Sequence, residues 1–218
     1  MKTYRDLGLA RACRGVVLTF CLLAGGARAL AQTPEAPAPV VSSGLPTAPI
    51  GRMRLSFSIV PAPLGTFETK AGGVNLSGDM AFAFGLRPAF DYSINEYFFV
   101  GVSPQFLLNV KGEDADDAGK ELDLLVRVGG HAPVADKLHL YGYLAPGYSI
   151  IYPPTGSDDP AGFVLGITAG AIYSFSDKLF AVADIGYQLG FQEVTVLGAD
   201  FDYRLRYLLI GLGVGMKL

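Results

Sequence analysis

The chain closes on YLLIGLGVGMKL, residues 207–218, in which leucine, isoleucine, valine and methionine alternate with glycine and the only charge is Lys217. Leu208, Ile210, Leu212, Val214 and Met216 fall on one face of an extended strand and Gly211, Gly213 and Gly215 on the other, because strand side chains alternate with a period of two. A long apolar edge of this kind recruits foreign strands unless it is covered, charged or closed on another strand. The ending therefore predicts a sheet that closes on itself.

The same period runs through residues 51–218. Met53, Leu55, Phe57 and Ile59 oppose Arg52, Arg54, Ser56 and Ser58. Met80, Phe82, Phe84, Leu86 and Phe90 oppose Ala83, Gly85, Arg87 and Asp91. Phe98, Val100, Val102, Phe106 and Leu108 oppose Gly101, Ser103 and Gln105. Leu122, Leu124, Val126 and Val128 oppose Glu121, Asp123 and Arg127. Leu140, Leu144 and Tyr148 oppose Tyr141, Tyr143 and Ser149, and Phe163, Leu165 and Ile167 oppose Gly166, Thr168 and Gly170. Ile185, Tyr187 and Leu189 oppose Asp184, Gly186 and Gln188. In the last strand Phe201, Tyr203 and Leu205 oppose Asp202, Arg204 and Arg206 before the apolar phase shifts, which predicts a bulge near Tyr207. The count is eight strands.

Their connections alternate. SINEYF, VADKLH and FSDKLF are tight turns centred on Asn95, Asp136 and Asp177, 41 residues apart each time. PLGTFETKAGGVNLSG, KGEDADDAGK, PPTGSDDPAG and a stretch around VLGAD are expected to be longer polar loops. An even number of strands with short turns at one end and long loops at the other is the pattern of a transmembrane barrel. The set opposing the apolar rows is largely glycine, alanine, serine and threonine, too uncharged to coat a soluble barrel and small enough for a crowded interior. The expected fold is all-β, an eight-stranded antiparallel up-and-down transmembrane β-barrel. Its apolar rows face lipid and its closed sheet satisfies the backbone without water.

The first 31 residues read as a signal peptide: Lys2, Arg5, Arg11 and Arg14 precede the apolar GVVLTFCLLAGG, and ALA at 29–31 marks cleavage, after Ala31 or alternatively Ala29. Both cysteines, Cys13 and Cys21, lie in that segment, so the mature chain is expected to hold neither disulfide nor thiolate metal site. Cleavage leaves 12 basic and 19 acidic residues. Residues 32–50 carry five prolines and read as a disordered periplasmic leader. Lysine and arginine are unclustered, which argues against nucleic acid.

Over residues 51–218 the pattern resembles the small eight-stranded outer-membrane proteins, the OmpA transmembrane domain and OmpX group. Gly213, Met216 and Leu218 are similar to the terminal assembly signal that this family's barrel insertion machinery reads, although Leu218 stands where phenylalanine is usual. The resemblance implies a bacterial outer-membrane location, with outer-membrane lipid and lipopolysaccharide as surroundings. Tryptophan is absent. Tyr92, Tyr97, Phe98, Phe175 and Phe180 at the short-turn end, and Tyr148, Tyr152, Phe191, Phe201 and Tyr203 at the other, are expected to form the interfacial belts.

The chemistry concentrates on the inward set. Arg52, Arg54, Arg87, Arg127, Arg204, Arg206 and Lys217 share it with Asp91, Glu121, Asp123, Asp184 and Asp202. An eight-stranded barrel is just wide enough for side chains to fill, so these charges are expected to pair into a plug. The alternative is a narrow path for ions or small solutes. His131 and His139 fall on one face of adjacent strands near a short turn. Asp114, Asp116 and Asp117, with Glu113, offer oxygen ligands in a loop, although a solvated acidic loop is the plainer reading. No GxSxG, phosphate loop or zinc spacing is present. The expectation is a non-enzymatic protein without cofactor, structural and surface-interacting (adhesin-like), whose outer loops can meet a surface ligand.

Overall fold

A computed structural model describes residues 52–154, 158–196 and 199–218. The signal peptide and the proline-rich leader expected over residues 1–50 lie outside the described residues. Ten strands follow one another: β1 (Met53–Ala62), β2 (Leu64–Ala71), β3 (Val74–Asp79), β4 (Ala83–Ser93), β5 (Phe98–Val110), β6 (Gly119–Ala135), β7 (Leu138–Tyr152), β8 (Ala161–Ser174), β9 (Leu179–Val196) and β10 (Ala199–Lys217).

Eight of them close a ring in the order β1-β4-β5-β6-β7-β8-β9-β10 and back to β1. Closure is antiparallel, from Arg54 opposite Lys217 to Ile59 opposite Leu212. The greasy terminal strand thus has no free edge along the length that β1 covers.

The remaining two strands prolong the first hairpin. Met53 pairs with Tyr92 and Ala62 with Ala83, and after a break at Pro63–Phe82 the same register resumes, Thr66 with Asp79 and Ala71 with Val74. Gly72 and Gly73 make the turn with φ of 53° and 84°, the left-handed values that two-residue hairpins need and that glycine adopts without steric penalty. What the sequence suggested as a sixteen-residue polar loop is therefore a β-hairpin standing on the barrel wall. Its other flank is held by β10, from Leu64 opposite Leu208 to Ala71 opposite Phe201. The connection expected around residues 196–200 is likewise mostly strand, since pairing runs to Val196 opposite Ala199.

The three tight turns are as expected. Asn95 Oδ1 accepts from the backbone N–H of Tyr97 and Phe98, both at 2.8 Å, and Ser176 Oγ accepts from Lys178 and Leu179 at 3.3 and 3.0 Å. A side-chain oxygen closing the turn explains why Asn and Ser stand there.

Outside, the apolar rows are exposed as a belt: Leu55, Phe57, Leu86, Val102, Leu124, Val126, Leu144, Ile167, Ile185, Leu212 and Val214 all present about half their surface or thereabouts. A water-soluble protein does not tolerate such a continuous apolar surface. Against hydrocarbon it is the favourable solution. Phe180 departs from its expected place in the belt, because its parity turns it inward, where it is buried.

The strand β10 carries no bulge. Its register against β9 is uniform from Ala199 to Met216, so Leu205, Tyr207, Leu209 and Gly211 all point inward while Asp202, Arg204 and Arg206 are exposed. Register breaks occur elsewhere: at Asn109 in β5, which has φ of 62°, between Pro133 and Ala135 in β6, and at the β1–β2 junction, where Ile59 opposite Leu212 is followed by Leu64 opposite Leu208.

Candidate functional site

The lumen is filled in layers, described from the short-turn end upward. At the bottom His131 (β6) and His139 (β7) are buried, their rings 6.2 Å apart and edge to face, with Phe99 (β5) stacked 6.2 Å from His131. The two histidines meet as their register predicts.

Above them Asp91 (β4) sits between two arginines, 3.2 Å from Arg127 (β6) and 3.6 Å from Arg54 (β1). The guanidinium of Arg127 also lies 4.1 Å from the centre of the Tyr143 ring, and that of Arg54 lies 5.0 Å from Phe99. Ring faces stabilise cations where water is excluded, so Phe99 and Tyr143 support the two guanidinium ions that share Asp91.

The next layer is held by one tight pair. Arg87 Nη2 donates to both carboxylate oxygens of Asp184, at 2.7 and 2.6 Å, and Tyr141 Oη donates to Asp184 Oδ2 at 2.7 Å. Arg87 comes from β4, Asp184 from β9 and Tyr141 from β7, so the cluster ties three parts of the wall together. Gly211 of β10 makes room for it: a Cβ there would meet Asp184 Oδ1 and Arg87 Nη2.

The following layer is polar but contains no arginine or lysine among the described residues. Gln105 (β5) donates to Gln188 Oε1 (β9) at 2.9 Å and to Asp123 Oδ2 (β6) at 3.0 Å, and Gln188 donates to the same Asp123 oxygen at 2.8 Å. Glu121 (β6) accepts from Ser149 (β7) at 2.9 Å and from Tyr207 (β10) at 2.8 Å. In the ring β5 stands opposite β9, and β6 opposite β10. Gln105–Gln188 and Tyr207–Glu121 therefore span the lumen from wall to wall.

Towards the hairpin end an apolar cluster of Val60, Ala62, Met80, Ala83, Leu107, Val110, Leu205, Tyr207 and Leu209 covers this polar layer, with Phe67 from β2 packed against it. Stacked contacts of this kind leave the interior a packed core.

Of the charged residues expected in the lumen, the structure brings together Arg54, Arg87, Asp91, Arg127 and Asp184 as ion pairs, and Glu121 and Asp123 as hydrogen-bonded acids. Arg52, Asp202, Arg204 and Arg206 are exposed and stand apart from it. The physical reason for the last three is the uniform register of β10. Above the lipid belt its outward face meets water, so the polar residues belong outside there. Gln105, Gln188, Gln192, Ser149 and Tyr207 were not singled out as site residues. For the glutamines and Ser149 the signal is inward parity alone, which does not reveal which neutral polar groups bridge the lumen, and the phase change near Tyr207 hides the parity of that tyrosine.

The loop after β5 keeps Glu113, Asp114, Asp116 and Asp117 near solvent, and Asp114, Asp116 and Asp117 are exposed. Lys111 Nζ folds back to donate to the Ala115 and Asp116 carbonyl oxygens, at 2.9 and 3.3 Å. No group of three or more metal-ligating His, Cys, Asp or Glu side chains occurs among the described residues. On the hairpin, Glu68 pairs with Lys70 at 3.2 Å and lies 3.9 Å from Arg206. The hydrogen bond from Lys70 holds the Glu68 carboxyl below the usual carboxylate range.

Ring closure, an apolar exterior and a charged, filled interior define an eight-stranded antiparallel transmembrane β-barrel of the small outer-membrane class. Its fold is similar to that of the outer membrane protein OprG from Pseudomonas aeruginosa, with a TM-score of 0.58 at 14% identity over 80% of this chain and 99% of that one. It is also similar to Neisserial surface protein A (TM-score 0.51, 15% identity, 76% and 97% covered) and to the outer membrane protein AlkL in lipid bilayers (0.50, 16%, 86% and 98%). No family model and no curated protein sequence matches the chain.

Proposed function

We propose that this protein is a plugged outer-membrane anchor, a structural and surface-interacting (adhesin-like) barrel that catalyses no reaction. The observation that carries this reading is the pair of hydrogen bonds joining opposite walls, Gln105 to Gln188 and Tyr207 to Glu121, stacked above the Arg87–Asp184 pair. The alternative, a narrow path for ions or small solutes, requires these bonds and the apolar cover above them to part together.

With the lumen closed, the part available to partners is the outer end. On the outside of β10, Met216, Val214, Leu212, Ile210 and Leu208 give way to Arg206 and Arg204, and Lys70 stands on the adjoining β2 strand opposite Asp202. An apolar row topped by arginines places permanent positive charge at the level of lipid phosphates, which arginine binds in two-pronged fashion. Lipopolysaccharide is the partner this arrangement suits, and the upper part of β10 with the β2–β3 hairpin beside it is the surface that displays it.

Removing the hairpin tests this. Gly65 and Met80 face one another at the hairpin base, where Met80 N donates to Gly65 O at 2.9 Å, so residues 66–79 can be replaced by a two-residue Asn-Gly turn. The shortened barrel, with Arg204→Ser and Arg206→Ser made as well, is expected to refold and keep its heat-dependent gel mobility while losing most of the wild-type affinity for lipopolysaccharide-coated surfaces. Unchanged affinity in a folded variant overturns the surface assignment.

A further inference from the structure

Glu121 and Asp123 are both fully buried, at 0% exposure, and stand two residues apart on the inward face of β6. Neither forms an ion pair among the described residues, whereas Asp91 and Asp184 each face arginine. Two neighbouring buried carboxylates repel, and a buried charge without a partner is costly.

Independent of the acids, the amides around them are short of donors. Asp123 Oδ1, Gln105 Oε1 and Gln192 Oε1 are buried and have no hydrogen-bond partner, with Gln105 1% and Gln192 0% exposed. Both glutamines are tied to the acids by their nitrogens. Gln105 donates to Asp123, and Gln192 donates at 3.1 Å to Ser149, whose hydroxyl donates to Glu121. Both amides therefore belong to the same layer as the two acids. Buried polar oxygens left bare are uncommon and point to a missing partner.

A count of charge agrees. The buried charged side chains described are three arginines, Arg54, Arg87 and Arg127, against four acids, Asp91, Asp184, Glu121 and Asp123. The surplus is negative and sits in the upper layer. A single proton shared by Glu121 and Asp123 would relieve their repulsion but still leave both glutamine oxygens without a donor. A metal cation is the one partner that bare carboxylate and amide oxygens both accept.

We propose that Glu121, Asp123, Gln105 and Gln192 form a buried site for one hard, oxygen-seeking divalent cation of the calcium type. Calcium accepts carboxylate and amide oxygens in flexible arrangements of six to eight, and Ser149, Gln188 and Tyr207 supply further oxygens in the same layer. The Val60–Leu209 apolar cluster above and the Arg87–Asp184 pair below enclose the site, so the ion enters as the barrel assembles and exchanges slowly afterwards.

The test refolds the mature chain in calcium chloride, strips surface ions on chelating resin and measures retained calcium by mass spectrometry. Wild type and the loop variant Asp114→Asn/Asp116→Asn/Asp117→Asn are expected to retain about one calcium per chain, and Glu121→Gln/Asp123→Asn less than about a tenth of that. Refolding in calcium instead of chelator is expected to raise the thermal transition of wild type and loop variant only. Wild type that retains no calcium above a buffer control overturns the proposal, whether or not the double variant folds. So does calcium lost with the loop acids instead, or an infrared band of a protonated carboxyl in metal-free wild type that disappears in Asp123→Asn and is unaffected by calcium.

Discussion

Asp184→Ala is expected to destabilise the barrel by about 3–5 kcal/mol, the cost of stripping one partner from a buried ion pair. The substitution leaves the guanidinium of Arg87, whose side chain is 5% exposed, facing its former partner's empty place, and removes the acceptor for the Tyr141 hydroxyl as well. No other acid forms an ion pair with Arg87 among the described residues, so the guanidinium is left buried and uncompensated. The measurement is the urea midpoint of the folded band on a cold gel, since a chain without tryptophan offers no indole fluorescence. The double variant Arg87→Met/Asp184→Leu, which fills the same space without charge, is expected to recover most of the loss. A midpoint for Asp184→Ala indistinguishable from wild type would mean that the layer is not packed as described.

One residue further on, the opposite face gives the second prediction. Ile185 points outward into the apolar belt, 54% exposed, between Ala169 on β8 and Ile210 on β10. Ile185→Arg places a charge in the hydrocarbon and is expected to cost about 2–4 kcal/mol, as cations near the middle of a lipid-facing wall do. On the same face of the same strand Glu193→Arg lies above the belt, beside Asp202, and is expected to change stability by less than about 1 kcal/mol. Equal effects at 185 and 193 in lipid vesicles would contradict the membrane orientation.

These two neighbours also show what was legible beforehand. Where the wall crosses lipid, the outside is uniformly apolar and the inside is not, so the period of two reports the faces of β4 to β9 and the closing pair of β1 and β10 directly. Above the lipid the code changes while the register does not. On β10 the outer face passes from Leu208 to Arg206 as its solvent passes from lipid to water, and the inner face passes from Gly211 to the bulky Leu209, Tyr207 and Leu205 that cap the lumen. Read without depth, that double change imitates a phase shift, which is why the pattern predicts a bulge at Tyr207 and puts Arg204 and Arg206 inside. The β2–β3 hairpin was hidden for a related cause. Thr66, Glu68, Lys70, Asn75 and Ser77 put polar residues on the outer face, and with Phe67 alone packing inward from β2 the hairpin has too little apolar contrast to read as strand.

Pairing inside the lumen was less legible still. Parity brings Arg87, Asp91, Arg127 and Asp184 to one interior, but which acid meets which arginine depends on the stagger of strands around the ring. That stagger sets Arg87 beside Asp184, 97 residues away, and leaves Glu121 and Asp123 among glutamines. Neutral residues settle the outcome as much as charged ones do, since Gln105, Gln188 and Tyr207 make the contacts that cross the interior.

The central claim is that this lumen is closed, and conductance tests it most directly. The refolded mature chain in a planar bilayer, compared with Arg127→Ala and Asp184→Ala variants, is expected to give no steady channel in wild type, because bonds from opposite walls and an apolar cover interrupt any water column. Stable unitary conductance in wild type that shifts with those two substitutions would contradict it and make the charged layers a path for ions.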